Sequence, residues 1–199
     1  MGILPCALKD WRQRYPRLQT ELIEFRHTDD LRAAMEAGRA DVAVGPTPAH
    51  WDGPIQEIGV EEFVVVASPG TELPGNAPQV SLADLAEHDW VHFTSPSGFG
   101  EVLNRACQGV GFEPRVAVRT EQGPSAANLA AAGLGLGLVP ANIIPPHFPG
   151  ALYRPEPRVL RPLSVYTRVS PDPITATFMD TITDGTHVMP EHVLDRLAP

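Results

Sequence analysis

Residues 18–45 constrain this chain more than any other stretch, because they spell a strand, a helix and a second strand within one short unit. Leu18, Thr20 and Leu22 alternate with polar residues, as a half-buried strand requires. Thr28 is placed to cap a helix whose positive first turn receives Asp29 and Asp30, and Leu31, Ala34 and Met35 give that helix an apolar stripe. Gly38 stops it. Asp41-Val42-Ala43-Val44 then has the short, apolar, β-branched character of a buried parallel strand. Gly45-Pro46 ends that strand at the carboxyl edge of its sheet, where open α/β sheets bind ligands.

The same period-switching continues along the chain. Leu4, Leu8, Trp11 and Tyr15 have helical spacing, and Tyr15-Pro16 closes that helix. Ile55 to Ile58 and Phe63 to Ala67 read as strands, followed by the turn-rich Ser68-Pro69-Gly70 and Leu73 to Pro78. Ser81 and Asp84 have capping-box spacing, Trp90 to Phe93 is a strand, and Gly100 to Gly109 is helical. Arg115 to Thr120 alternates, Pro124 suits the first turn of a helix that Gly133 closes, and Leu134 to Val139 is a buried strand. After the proline-broken stretch from Pro140 to Pro149, Leu160 to Val169 and Ile174 to Ile182 supply a further strand and helix. Strands alternating with helices predict two Rossmann-like α/β subdomains joined by two crossovers. The turn-rich breaks place subdomain I at 1–67 plus 156–199 and subdomain II at 68–155, with crossovers near Ser68 and Arg158.

Composition narrows the function classes. With 24 acidic against 15 basic residues, and no Lys/Arg cluster, this chain would repel a phosphate backbone. No apolar run approaches a membrane span, and the start lacks the charged and apolar regions of a signal peptide, so no membrane partner and a cytoplasmic location are expected. Cys6 and Cys107 have no second cysteine or histidine at ligand spacing, so neither a metal site nor a disulfide is expected. Gly133, Gly135 and Gly137 enter a strand rather than leave one, the reverse of a dinucleotide turn, so no cofactor is expected. Pro96-Ser97-Gly98 lacks the flanking glycines of a nucleophile elbow, and no catalytic residues are assigned.

Several of these runs together resemble the effector-binding domain of LysR-type transcriptional regulators. The resemblance rests on Tyr15-Pro16, Leu31 to Met35, Ala37-Gly38 and Asp41-Val42-Ala43-Val44, on Phe63 to Gly70, on Ser81 to Leu85, on Trp90 to Phe93, and most specifically on Asn128 to Pro140, NLAAAGLGLGLVP. It covers about residues 5 to 185. It implies a type 2 periplasmic-binding-protein-like fold with a ligand cleft between the subdomains, a small-molecule effector, and a homodimer or higher homo-oligomer. Its pairing helices would be Leu4 to Tyr15 and Gly100 to Gly109, with Leu8 and Trp11 as candidate contacts. DNA would be bound only through a winged helix-turn-helix that is absent from this chain. The family's opening strand is here cut to Met1-Gly2-Ile3-Leu4. A stand-alone solute-binding protein of the same fold is the alternative.

Candidate effector-binding residues cluster at predicted strand ends. Thr94, Ser95 and Ser97, with Gly98, lie between a strand and a helix start, where free N–H groups and the helix dipole favour an anion. Ser97 equally suits a plain capping role; the resemblance favours effector contact. Arg26, His27 and Thr28 follow the first predicted strand, Gly45 and Pro46 the next, and Gln122 and Gly123 occupy the matching turn of subdomain II. His27 also suits an ordinary solvated loop. Glu121 beside them leaves both a small organic acid and an amino acid open as ligand.

Overall fold

The computed structural model describes residues 3–25, 27–75, 77–185 and 188–198. Packing divides the chain into two units, Met1–Glu61 with Arg161–Val188, and Glu62–Leu160 with Met189–Pro199. Two strands pass from one unit to the other, β2 (Ile55–Ala67) and β8 (Val159–Tyr166).

The first unit begins with α1 (Leu4–Arg14), which has proline in its first turn and Arg12 and Arg14 in its last, each at the favourable end of the helix. Leu4, Ala7 and Trp11 form its buried face against Val165, Met179 and Ile182. Trp11 packs 4.3 Å from the Tyr15 ring and 4.8 Å from Phe178, so this candidate self-association contact is a core residue instead. α2 (Thr28–Glu36) starts one residue earlier than its expected cap. The His27 ring, not the Thr28 hydroxyl, accepts the Asp29 N–H at 3.2 Å, because Thr28 already lies inside the first turn. Met35 and Ala34 are buried beneath it, and Gly38, at φ +67°, turns the chain out of the helix.

β1 (Ala43–Pro46) occupies the expected position but not the expected direction, since its ladder partner is the antiparallel β8. Gly45 and Pro46 belong to that ladder rather than ending it. The alternation of Leu18, Thr20 and Leu22 does not become a strand. Residues 18–25 form neither helix nor strand and have no ladder partner among the described residues, and Leu18 and Leu22 are 40% and 51% exposed. An alternating pattern forms a strand only where a neighbour supplies the other half of each hydrogen bond. Ile3 and Leu4 open α1; Met1, Gly2 and Arg26 lie outside the described residues. α5 (Pro173–Gly185) completes the unit, its start held by Asp172, which accepts from the Thr175 N–H at 2.7 Å.

In the second unit the strand order is β2-β6-β4-β5, with β7 (Ala151–Glu156) pairing both β2 and β3 (Gln79–Ser81). β4 (Asp89–Phe93) runs parallel to β5 (Arg115–Thr120) and to β6 (Leu136–Pro140), while β6 is antiparallel to β2. α3 (Gly98–Gly109) and α4 (Gly123–Ala131) provide the covering helices. Phe63 to Val66 have no exposed surface, and Leu138 and Val139 across the ladder are equally buried. Ile55–Ile58 and Phe63–Ala67 form one strand rather than two, the chain passing Gly59 at φ +150° without breaking. The Ser81–Asp84 capping box does not form. Ser81 is held in the β3 ladder, and the following turn, Ala83–Leu85, is a short 3-10 helix capped at Leu82 without a side-chain bond.

Residues 189–198, expected in the first unit, belong to the second. α6 (Glu191–Arg196) carries Val193, and Val193 and Leu197 sit in one apolar cluster with Val64, Phe93 and Val139. Two buried glutamates mark the unit border along β2. Glu61 meets Arg161 at 2.5 Å in the first unit, and Glu62 meets Arg154 at 3.0 Å and Arg158 at 2.8 Å in the second. Successive strand residues face opposite ways, so neighbouring carboxylates need separate partners.

Candidate functional site

A polar cavity of the second unit lies beside the ends of β4 and β5 and the start of α3. Phe93 and Thr120 are register partners, and the Thr94 N–H donates to the Thr120 carbonyl at 2.8 Å, so the chain leaves β4 tethered to the end of β5. Thr94, Ser95 and Pro96 carry it to Ser97, whose extended backbone at φ −152° makes it the N-cap of α3. The Ser97 hydroxyl accepts the Gly100 N–H at 3.4 Å, at the long limit of a hydrogen bond. That geometry satisfies the capping role and leaves the hydroxyl proton available to a further acceptor.

Around this loop is a cavity of about 370 Å³, lined by Thr94, Ser95 and Ser97 together with His92, Asn104 and Arg119. His92 is the buried anchor of the group. Arg119 Nη1 lies 2.9 Å from His92 Nδ1 and 3.1 Å from the Phe93 carbonyl, and the His92 Nε2 lies 2.9 Å from Asn104 Oδ1. His92 Nδ1 also lies 2.8 Å from the Phe93 carbonyl, so the guanidinium, as donor, and the carbonyl, as acceptor, converge on the same ring nitrogen. The His92 ring and the Phe93 carbonyl thereby hold Arg119 at the cavity. Three hydroxyls, one guanidinium and the positive end of a twelve-residue helix suit the oxygens of an anion. Glu101 and Glu113 also line the cavity, so an ammonium group on the same ligand has partners within it.

The structure brings Thr94, Ser95 and Ser97 together as lining residues; Gly98 opens α3 beside them. Gln122 caps α4 through its backbone alone and Gly123 is the first residue of that helix, both following the end of β5. An added Cβ at Gly123 would stand 2.7 Å from Ile143 Cδ1 and 3.3 Å from the Phe99 ring, so the tip of Ile143 would have to move aside. His27, Thr28, Gly45 and Pro46 belong to the first unit, where His27 is taken up by the α2 cap and Gly45 packs on Leu31. Arg119, His92 and Asn104 are the residues that motif reading missed. The available signal was His92, a polar residue between Val91 and Phe93 in the buried part of β4. No group of three or more His, Cys, Asp or Glu placed to hold a metal occurs among the described residues.

The sequence pattern described as LysR substrate binding domain matches residues 1–186. Among curated relatives, the HTH-type transcriptional regulator TtuA of Agrobacterium vitis is 27% identical over 143 residues, covering 70% of this chain and 46% of TtuA. This chain thus spans about half the length of the curated relatives it matches. Among solved structures, the C-terminal domain of a probable LysR family transcriptional regulator from Rhodococcus sp. RHA1 superposes with TM-score 0.76 at 26% identity, covering 90% of this chain and 91% of the other. The BenM effector binding domain, solved with its effector benzoate, gives TM-score 0.76 at 24% identity over 91% of this chain and 84% of that one, a likeness of fold.

Proposed function

Because this chain belongs to the LysR substrate binding domain family, we propose that it is the effector-sensing part of a LysR-type transcriptional regulator and that its effector is a small carboxylate. The observation that carries this reading is the cavity at the start of α3, where Thr94, Ser95, Ser97 and Arg119 converge. The carboxylate would accept from the loop hydroxyls and the guanidinium, with the helix dipole adding favourable potential. That BenM binds benzoate supports a carboxylate as a ligand this fold accommodates. Gly98, Gln122 and Gly123 would shape the surrounding turns, and Thr28, His27, Gly45 and Pro46 would contribute from the first unit.

On this reading the chain itself does no chemistry on its ligand. Binding shifts the population of its conformations, and self-association passes that shift to a DNA-binding part elsewhere in the protein. With 24 acidic and 15 basic residues, the sensing part has no electrostatic reason to touch DNA itself.

A thermal-shift screen of small carboxylates and amino acids tests the reading. A ligand at about a hundred times its dissociation constant stabilises the fold by roughly 2.7 kcal/mol, which such a screen resolves. Ser97→Ala and Arg119→Gln should each reduce the ligand-induced shift. A ligand whose shift is unchanged in both variants binds elsewhere, and removes this cavity from the mechanism.

A further inference from the structure

The cavity at the start of α3 does not stop at the loop hydroxyls. It continues along the helix past Glu101, Asn104 and Gln108, which share one face at spacings of three and four, and reaches Glu113 and Pro114 on the chain that returns into β5. Its other wall is β5, where Val116 and Arg119 both line it. Residues three apart on a regular strand face opposite ways. Here the register steps from Trp90 beside Val116 to Val91 beside Val118, which leaves one extra residue in β5. Val116 therefore faces with Trp90 and Arg119 with His92, and Trp90 and His92 lie on one side of β4. The bulge thus sets the guanidinium and the start of β5 along a single trough. Two turns of helix from Glu101 to Gln108, and three strand residues from Val116 to Arg119, give both walls a length of about 10 Å.

The two ends of this trough differ in charge. Arg119, Ser97 and the positive end of α3 stand at one end. At the other is Glu113, an exposed carboxylate whose nearest base in sequence, Arg115, is already paired with Asp89 at 2.6 Å. We propose that the cavity selects a carboxylate carrying a cationic group at the far end of a short methylene chain, as an ω-amino acid does, with its carboxylate on Arg119 and its ammonium on Glu113. The assignment rests on the carboxylate reading of the same cavity, and adds to it a second point of recognition and a direction. The methylenes lie against Val116 and Pro114, while each ligand charge meets its opposite. A plain monocarboxylate leaves Glu113 unused, and an ammonium next to the carboxylate is brought toward the guanidinium, where like charges repel.

The test titrates the full chain calorimetrically with three probes of equal carbon count: hexanoate, 6-aminohexanoate and 2-aminohexanoate. 6-Aminohexanoate should bind about two- to fivefold more tightly than either of the others, the value of an exposed ion pair, and the preference should shrink as salt is added. Glu113→Gln, at an exposed position outside helix and strand, should erase the preference, whereas Arg119→Gln should weaken all three probes together. Equal binding of the three, tighter binding of 2-aminohexanoate, or a preference that survives Glu113→Gln would overturn the proposal while leaving the carboxylate reading intact. Failure of all three to bind would remove both.

Discussion

β4 and β1 are both short strands that lead toward candidate ligand residues, and they differ in what surrounds them. β4 is paired on both sides, by β5 and β6, and four of its five residues are buried. β1 is paired by β8 alone, and Ala43 is its one fully buried residue. The consequence for the loops that follow is direct. Thr94 leaves β4 tied to Thr120 and backed by the His92, Asn104 and Arg119 bonds, so its hydroxyl neighbours are positioned before any ligand arrives. A site assembled on such a support loses little conformational freedom on binding. No comparable set of side-chain bonds backs the residues just after β1 among the described residues, apart from Thr47 to Ser164 at 2.6 Å.

The contrast is most exposed to failure in the cores. Phe63→Ala in the second unit should cost about 3–5 kcal/mol by urea denaturation, whereas Leu22→Ala in the first should stay within about 0.5 kcal/mol. Comparable losses at the two positions would mean that segment 18–25 is packed after all. Next in size is Gly135, at φ +135° where the chain enters β6 beside β4. An added Cβ there would stand 2.8 Å from the Asp89 carbonyl, so Gly135→Ala should cost about 1–3 kcal/mol. Ser97→Ala should cost about 1 kcal/mol in the absence of ligand through the lost cap. A larger ligand-free loss would show that the loop is structural first.

The remaining effects appear only in alkaline solution. Burial pushes the Cys107 thiol from 9.0 and the Tyr166 hydroxyl from 10.0 up to about 12 each. Below pH 9 both are protonated whether folded or not, and contribute nothing to pH dependence. Above it the unfolded chain releases protons that the folded chain retains, so stability falls with rising pH until each group ionises near 12. Cys107→Ala should move the onset of that fall from about pH 9 to about pH 10. Tyr166→Phe should blunt the remainder, and because the Tyr166 hydroxyl is buried without a hydrogen-bond partner among the described residues, its loss should leave neutral-pH stability unchanged or higher. A fall that begins only above pH 12 in the unmodified chain would contradict both assignments.

What the sequence revealed depended on how local the cause was. The spacing of Leu4, Leu8 and Trp11, the glycine exit at Gly38, the full extent of Arg115–Thr120 and the proline start of α4 are properties of a few neighbouring residues, and each stands as read. The direction of β1 depends on β8, more than a hundred residues away, and no local pattern carries it. Leu18, Thr20 and Leu22 have a strand's alternation but lack a strand's neighbour, which sequence period cannot report. The site was half legible. Hydroxyls before a helix start announce themselves, whereas Arg119 joins them only because parallel β4 and β5 bring its strand beside His92. The placement of α6 was missed because Val193 and Leu197 suit either unit by composition.

The discontinuity of the first unit has a consequence for the chain as it is made. Ala43 cannot meet Tyr166 until the whole of residues 62–160 has been synthesised, an interval of roughly 5 to 20 s at ordinary ribosomal rates. During that time β1 lacks its β8 partner, while β6 can pair with β2 and β4 as it emerges. Val193 and Leu197 follow residue 160 by a further thirty or so positions, so the second unit's apolar cluster is completed only after the first unit's last strand has emerged.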